Sequence, residues 1–308
     1  MAVKKVLITG AAGMLGKDLV KIFSSDPRYR VFGLIKQLQQ NTRNIIYKEV
    51  DLRNAVALKK TISEVDPEII IHCAAIVDLN ACEENHSNAD SVHVEATKIL
   101  SSFKNETVKF IYISTDSVFD GIEGNYSEEA ETHPLNYYAK SKREGEKVAL
   151  ENNKNSLVIR TNIYGFHTPP GNSLAEWAIK SLSAKKDING FTDVIFNPLY
   201  TKQLALLIKD IVSKKNICGI LNVGSKKPVS KYDFLRQLAK SFSLDETFIH
   251  PVQIKDIRMS VKRPNNTSLD TVKIRHIMDE EMPTLRDGLE EFAHEYPLNG
   301  FDKNNTIL

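Results

Sequence analysis

Apolar positions in the first half of the chain follow two alternating patterns. "KKVLITG" is a short apolar run that ends in glycine, and the helical spacing of Leu15, Leu19, Val20 and Phe23 marks the segment after it. The same order repeats through "YRVFGLI", "AVALKKTISEV", "EIIIHCAA", "ADSVHVEATKILSSF" and "VKFIYIST". Strands that alternate with helices predict an α/β protein with a doubly wound parallel sheet.

The alternation loosens after "NSLVIRTNIYG", which predicts one further strand. A Pro-Gly loop leads to a helix near Leu174, and "TDVIFNPLYTKQLALLIKDIV" predicts a strand and a helix that return to the main sheet. Helical spacing then recurs in "KYDFLRQLAKSF" and "TLRDGLEEFAHEY". We expect a sheet domain of residues 1–165 plus about 193–225, a smaller, mainly α-helical lobe of about 166–192 plus 226–296, and a loose tail at 297–308.

Composition narrows the class of protein without pointing to a particular activity. The 308 residues can bury a sizeable core, and a net charge of +2 comes with no basic stripe, membrane-length apolar run or signal peptide. We therefore expect a cytoplasmic protein that binds neither nucleic acid nor a membrane, with monomer and homodimer both open. Cys73, Cys82 and Cys218 are too scattered for disulfides or a zinc site, and no histidine spacing predicts a metal centre.

The turn between the first strand and the first helix carries a glycine motif. Gly10, Gly13 and Gly16 form T-G-A-A-G-M-L-G, with Met14 and Leu15 opening the helix. Glycine permits a sharp turn and close approach of the backbone to a pyrophosphate, while the helix amino terminus offers unpaired N–H groups and a positive dipole. In this strand-to-helix context, the motif predicts a Rossmann-like dinucleotide site.

The expected adenosine contacts bear on the choice of cofactor. An acidic residue roughly twenty positions after the glycines usually selects NAD, but Lys36 stands there, with Arg43 downstream. Positive charge suits a 2′-phosphate, so we expect NADPH rather than NADH, although Lys36 as a plain solvated lysine stays open. Asp51 and Leu52 end the third strand and are expected beside the adenine; Asp51 as a helix cap is the alternative.

A helix is predicted over "HPLNYYAKSKREGEKVAL", and it contains a tyrosine and a lysine on one face. Tyr138 and Lys142 are four residues apart and share one face of the helix, whereas the residue four positions after Tyr137 is Ser141, which carries no charge. A neighbouring ammonium favours the phenolate, which lowers the phenol pKa from its unperturbed value of about 10. The pair can therefore manage a proton, but the spacing is common and its context has to support the hypothesis.

Taken in order, T-G-x-x-G-x-x-G, "HCAA", "ISTDSVFDG" and Y-x-x-x-K resemble the extended short-chain dehydrogenase/reductases. More narrowly, "STDSVFDG", "PLNYYAKSKREGE" and "VKRPNNTSLDTVKI" are similar to the dTDP-4-dehydrorhamnose reductase family, over nearly the whole chain. The resemblance implies NAD(P)H-dependent reduction of a nucleotide-activated 4-keto-6-deoxy sugar, for deoxysugar and surface polysaccharide biosynthesis. A nucleotide-sugar epimerase or dehydratase with tightly bound NAD, and a non-catalytic regulatory subunit, are alternatives; Ser117, where a dehydratase is expected to have glutamate, favours reduction.

The resemblance assigns catalysis to Thr115, Tyr138 and Lys142. It implies that the tyrosine protonates the substrate carbonyl oxygen as hydride arrives, that the threonine hydroxyl holds this oxygen, and that the lysine binds the nicotinamide ribose and tunes the phenol. Donors placed in advance stabilise the charge that develops on the oxygen. For Thr115, a strand-end hydroxyl that satisfies backbone is the alternative interpretation.

The remaining assignments concern the two binding sites. The resemblance implies that Cys73, Ala74 and Ala75, at the end of a strand, contact the cofactor. Plain packing within the sheet is the alternative. The resemblance implies substrate contacts for Asp116, which can also cap a turn, and for Arg263, whose guanidinium suits a diphosphate but which can also be a surface arginine before a proline turn. We also expect Asn162 and Trp177 to contact the substrate; Trp177 can equally be core.

Two departures from the reductase pattern concern the substrate pocket or its supports. "RTNIYG" is one residue shorter than the corresponding segment of many rhamnose-pathway reductases and lacks its tryptophan, and His93 stands where that group usually has asparagine. Neither change falls on Thr115, Tyr138 or Lys142 themselves. The identity of the sugar therefore stays open.

Overall fold

A computed structural model describes residues 3–36, 40–42, 44–214 and 217–295; Arg43 and the predicted tail at 297–308 lie outside the described residues. Its strands are β1 (Lys4–Thr9), β2 (Tyr29–Ile35), β3 (Ile45–Glu49), β4 (Ile69–His72), β5 (Lys109–Ile113), β6 (Leu157–Arg160), β7 (Asn162–Tyr164), β8 (Ile188–Phe191), β9 (Ile195–Phe196), β10 (Pro198–Tyr200), β11 (Gly219–Asn222), β12 (Val229–Ser230) and β13 (Ile249–Val252). Its α-helices are α1 (Met14–Ser24), α2 (Ala55–Val65), α3 (Leu79–Glu84), α4 (His86–Asp90), α5 (Ala96–Ser101), α6 (Tyr137–Asn152), α7 (Leu174–Ser183), α8 (Thr201–Ser213), α9 (Lys231–Ser241), α10 (Val272–Met278) and α11 (Leu285–Glu295).

The central sheet has seven strands in the order β11-β6-β5-β4-β1-β2-β3, and every neighbouring pair is parallel. Two apolar clusters cover its faces, which explains why a strand such as β4 is buried at every position. The predicted doubly wound parallel sheet is confirmed. The strand order reverses between β1 and β4, and the crevice at such a switch point is where doubly wound sheets bind ligands.

Two details of the predicted strands are wrong. "NSLVIRTNIYG" is not one strand, because the chain leaves the sheet at Thr161 and β7 pairs with β10 instead. "TDVIFNPLY" does not return to the main sheet; β9 pairs with β12, and the short strand β11 completes the sheet beside β6. Only the helix of that segment returns, since α8 packs against α1.

A third apolar cluster lies outside the sheet and is built largely from helices α7, α9 and α11. Aromatic rings such as Phe234 and Phe292 are fully buried at its centre. Helix α10 belongs elsewhere, because its Ile274 and Met278 pack in a cluster that covers the sheet. The predicted division into two domains stays a prediction.

Within the described residues, no helix combines the length and the apolar character needed to cross a bilayer. The same residues contain no group of His, Cys, Asp and Glu side chains arranged to hold a metal ion. The three cysteines are all free thiols.

Candidate active site

The glycine turn at the end of β1 has the shape of a phosphate cradle. Gly10 adopts a left-handed φ of +64°, and a Cβ there would lie 2.9 Å from the backbone of Ala74. A Cβ on Gly16 would overlap the carbonyl oxygen of Gly10, so helix α1 can pack this close only without a side chain. Helix α1 then begins at Met14 with no acidic residue in its first turn. The open N–H groups and positive dipole there fit a pyrophosphate.

The end of β4 is tied to this turn by hydrogen bonds through a buried histidine. The Thr9 hydroxyl lies 2.6 Å from Nδ1 of His72 and accepts from the backbone N–H of Ala74 at 3.2 Å. Nε2 of His72 donates to the Val92 carbonyl, 3.3 Å away, so Nδ1 accepts from Thr9. This arrangement brings half-buried Cys73 and Ala74 beside Gly10, where close approach to a dinucleotide was expected. Ala75 follows and is also half-buried.

Thr115 and Tyr138 come together at the carboxyl end of β5. Thr115 precedes a 3₁₀ turn at Asp116–Val118, and its hydroxyl lies close enough to the Tyr138 phenol to influence the pKa of that phenol. Tyr138 lies in the first turn of α6, which is capped by the Asn136 side chain. Lys142 lies one turn further on; its Nζ donates to the Ile113 carbonyl at 2.7 Å. The predicted trio therefore converges beside the switch point, with Thr115 and Lys142 buried and Tyr138 half-buried.

Burial dominates the electrostatics of this trio. It raises the pKa of Tyr138 to about 12 and lowers the pKa of Lys142 to about 7. The prediction of a lowered phenol pKa is therefore wrong, because the loss of water around the phenol outweighs the effect of the neighbouring charge. The Lys142 ammonium is instead bound to the Ile113 carbonyl and lies 4.0 Å from the Tyr112 ring centroid. At neutral pH the Tyr138 phenol keeps its proton, as a proton donor must.

The neighbouring tyrosine, Tyr137, is held elsewhere. Its phenol donates to Oδ2 of Asp90 at 2.7 Å, and its ring stacks on His86 with centroids 3.5 Å apart. The bond to Asp90 raises the pKa of Tyr137 to about 12. Helical spacing thus separates two adjacent tyrosines, and the predicted one faces Thr115.

Asp116 and Asn162, both predicted to contact substrate, contact each other. The Asp116 carboxylate is 1% exposed, and its Oδ2 accepts from Asn162 Nδ2 at 3.0 Å and from Thr267 Oγ1 at 2.6 Å. Its Oδ1 accepts from Thr115 Oγ1 at 3.2 Å and from Ser117 Oγ at 3.3 Å. Burial raises the pKa of this carboxyl. The network joins the segment that follows Arg263 to Thr115, while direct substrate contacts by Asp116 and Asn162 stay predictions.

A cavity of about 320 Å³ lies between α7, α9 and the segment before Arg263. Its walls combine aromatic, amide and cationic side chains, among them Asn172, Trp177, Asn189, Phe191, Lys231 and Arg263. Trp177 and Arg263, which were predicted to bind substrate, are thus brought to one pocket. Aromatic faces with a few polar groups are typical of small-molecule sites.

Lys231 was missed in the sequence. It opens helix α9, its Nζ lies 4.4 Å from the Phe196 ring centroid, and burial lowers its pKa to about 8, although Asp116 acts in the opposite direction. Together with Arg263 it gives the cavity two cationic groups. A lysine in the first turn of a helix opposes the helix dipole, and this unfavourable placement after the capping Ser230 was the available clue.

At the other end of the crevice, Lys36 follows β2 and is exposed. Asp51 does not cap helix α2, because Asn54 does so by accepting from the Ala57 N–H. Instead, the Asp51 carboxylate is paired with Arg53, at 2.6 Å, and this bonding holds the pKa of Asp51 at about 2. Leu52 beside it is half-buried. Adenine contacts by Asp51 and Leu52 stay predictions.

The fold, the glycine cradle and the Thr115, Tyr138 and Lys142 arrangement define an extended short-chain dehydrogenase/reductase, a class of NAD(P)-dependent oxidoreductases. Within this class the chain belongs to the RmlD substrate binding domain family, whose model matches residues 4–297. The family resemblance seen in the sequence motifs is confirmed.

Three similar proteins illustrate the range of the family. The dTDP-4-dehydrorhamnose reductase of Aggregatibacter actinomycetemcomitans is 30% identical over 285 residues, 88% of this chain and 92% of that protein. Methionine adenosyltransferase 2 subunit beta of Bos taurus is 27% identical over 299 residues, 94% of this chain and 86% of the relative. A crystal structure of dTDP-4-dehydrorhamnose reductase from Bacillus anthracis in complex with NADP matches with a TM-score of 0.85 and 25% identity, covering 96% of this chain and 100% of that one.

Proposed function

We propose that the protein reduces the 4-keto group of a nucleotide-activated 4-keto-6-deoxy sugar with NADPH. The observation that carries the proposal is the half-buried Tyr138 phenol, which keeps its proton at neutral pH and lies close to the Thr115 hydroxyl, at the same edge of the sheet as the glycine cradle. NADPH is favoured over NADH by exposed Lys36 at the position where an acidic residue would select NAD, and by the NADP complex of the similar Bacillus anthracis reductase.

The chain's own groups suit this reaction. When bound, NADPH supplies a hydride to the carbonyl carbon. The Thr115 hydroxyl and the Tyr138 phenol donate hydrogen bonds to the carbonyl oxygen, and the phenol passes its proton to this oxygen as negative charge develops. The Lys142 ammonium has three N–H donors. One of them donates to the Ile113 carbonyl, so the other two are available to ribose hydroxyls.

Lys231 and Arg263 are assigned to the diphosphate of the nucleotide. Both line the cavity that also contains Trp177 and Phe191, whose rings suit a nucleotide base. Two cations beside an apolar wall match a ligand with a charged diphosphate and a flat base. Lys231 of the cavity lies close enough to Asp116 for their charges to interact, and Asp116 accepts a hydrogen bond from Thr115, which supports a substrate that spans both sites.

Replacing Lys231 by Met, or Arg263 by Leu, is expected to raise KM for the nucleotide sugar by roughly 10- to 100-fold, because each removes a charge-assisted hydrogen bond. We expect kcat to change far less, since neither residue belongs to the catalytic trio. The matched control is Lys227→Met, which removes an exposed lysine on the same segment and should leave KM unchanged. Calorimetric titration with the nucleoside diphosphate alone checks the assignment; an unweakened diphosphate affinity in both cavity variants would contradict it.

The reaction itself is tested with purified protein, NADPH or NADH, and a panel of nucleotide 4-keto-6-deoxy sugars. Loss of the absorbance of reduced nicotinamide with at least one sugar is the expected result. A protein that binds NADPH but reduces none of the panel contradicts the proposal. Cofactor that stays bound as NAD through purification would instead favour an epimerase or dehydratase.

A non-catalytic regulatory subunit is the second candidate, because a relative with 27% identity is named as a subunit of methionine adenosyltransferase. The intact Thr115, Tyr138 and Lys142 favour catalysis, although a fold does not by itself determine function. Tight binding to a methionine adenosyltransferase, without turnover of any sugar in the panel, would support the second candidate.

The proposed reductase activity also suggests a pathway and a cellular location. We place the reaction in deoxysugar and surface polysaccharide biosynthesis, at a cytoplasmic location where NADPH and nucleotide sugars are available. A homodimer stays a prediction.

A further inference from the structure

His93 lies beneath the catalytic helix and is fully buried. It belongs to a π-helical turn at Ser91–Glu95 that separates α4 from α5. Such turns are rare, occur mostly as single-turn insertions within α-helices, and are frequent at functional sites. The backbone on this side is fixed, because the His93 carbonyl accepts from the Thr97 hydroxyl at 2.7 Å and from the Tyr112 phenol at 3.3 Å.

The hydrogen bonds of the imidazole determine where its proton lies. The backbone N–H of Ile76 donates to Nε2 at 2.9 Å, so Nε2 is unprotonated and Nδ1 carries the hydrogen. Nδ1 therefore donates to the Ser141 hydroxyl, 2.8 Å away. The Ser141 hydroxyl in turn donates to the backbone carbonyl of Tyr138 at 2.9 Å. Three bonds in series thus connect the segment after β4 to the catalytic tyrosine.

The imidazole also contacts the tyrosine ring directly. The two ring centroids are 5.8 Å apart and the ring planes are inclined by 84°, an edge-to-face arrangement. The helix and the π-helical turn are pressed together, since a Cβ on Gly145 would overlap the His93 carbonyl oxygen. His93 accordingly restrains both the backbone and the ring of Tyr138, with little room to relax.

We propose that His93 is a positioning residue, which holds the Tyr138 phenol toward Thr115 through its neutral imidazole and the Ser141 hydroxyl. The inference rests on the proposed reductase function. His93 contacts none of the reacting atoms, so its effect comes through the geometry of Tyr138. A displacement of a reacting group by about 1 Å can cost roughly 100-fold in rate, which makes such restraint significant.

The first test compares steady-state kinetics of His93→Ala, His93→Asn, Ser141→Ala, the His93→Ala/Ser141→Ala pair and the wild type. We expect kcat to fall roughly 10- to 100-fold in His93→Ala with the sugar KM within about twofold, and Asn to restore part of the rate because its amide supplies one donor and one acceptor. The double variant should be no slower than the slower single variant, since both changes break the same series of bonds. An unchanged kcat in both single variants, or effects that multiply in the pair, would overturn the inference.

Ser101→Ala is the matched control for Ser141→Ala. The Ser101 hydroxyl is also buried in a helix and also donates to the carbonyl three residues earlier, that of Lys98, while accepting from the Asn152 amide. It lacks the link to His93 and Tyr138. We expect its kcat to stay within about twofold of the wild type, because Ser101 shares no partner with His93 or Tyr138 and is not coupled to them.

The second test does not depend on turnover. In protein labelled with ¹³C at tyrosine Cζ, the Tyr138 resonance is assigned by its loss in Tyr138→Phe, and its pKa is followed by titration. We expect the pKa, about 12 in the intact protein, to move toward the unperturbed value of about 10 in His93→Ala as the ring loosens, and to stay unchanged in Ser101→Ala. An unchanged Tyr138 pKa in His93→Ala overturns the inference, whereas a wild-type protein that reduces no sugar counts against the proposed function alone.

Discussion

Replacing Tyr138 by Phe lowers kcat for sugar reduction by about two to four orders of magnitude, the contribution expected of a positioned proton donor. The substitution removes only the phenol oxygen and keeps the ring, so the buried packing against His93 is retained. Thr115 still offers a hydrogen bond to the carbonyl oxygen but has a far less acidic proton. KM for NADPH should remain within about threefold, because the Lys142 ammonium and the glycine cradle are untouched.

Tyr137→Phe is the control for this result, since it removes the same atom from the preceding residue of the same helix. Its phenol is bonded to Asp90 and points away from Thr115, so kcat should stay within about twofold. Stopped-flow measurement of nicotinamide oxidation under single-turnover conditions isolates the chemical step. Equal losses in the two variants, or a Tyr138→Phe enzyme with more than a tenth of the wild-type rate, would show that the phenol is not the proton donor.

The sheet was predictable because its strands carry near-continuous apolar runs, and helices alternate with them. What local pattern does not encode is the partner of a short strand. "TDVIFNPLY" and β11 are both brief apolar segments, yet only β11 joins the central sheet, where it pairs with β6. That choice is made by the tertiary context, which strand propensity does not record.

The site shows the same limit. Motif order and resemblance indicated Thr115, Tyr138 and Lys142, and the structure brings them together. The phenol pKa was predicted in the wrong direction, because helical spacing reveals a neighbouring charge but not the loss of water around both groups. The bond between Thr267 and Asp116 joins residues 151 positions apart, so no local pattern can reveal it.

Between pH 7 and pH 5, the free energy of unfolding is expected to fall by about 4 kcal/mol because of two buried histidines. Burial, followed by the charge of Lys142, lowers the pKa of His72 to about 3 and that of His93 to about 2. In the unfolded chain both histidines have a pKa of about 6.5. Below that pH the unfolded state therefore binds protons that the folded state does not bind, which stabilises the unfolded state. Stability is therefore complete above pH about 6.5 and declines as the pH falls toward about 3, each histidine contributing about 2 kcal/mol by pH 5.

Urea unfolding at pH 5, 6 and 7 measures this loss, and single variants assign it. His72→Asn and His93→Asn should each reduce the fall in unfolding free energy between pH 7 and pH 5 by about 2 kcal/mol, an average slope of about 1 kcal/mol per pH unit, whatever they cost at pH 7. His276→Asn removes an exposed histidine and should leave the slope unchanged. Slopes that are equal in all four proteins would contradict the prediction. They would mean that water reaches both imidazoles in the folded protein, and that the hydrogen bonds which determine the neutral form of His93 beneath Tyr138 do not persist in solution.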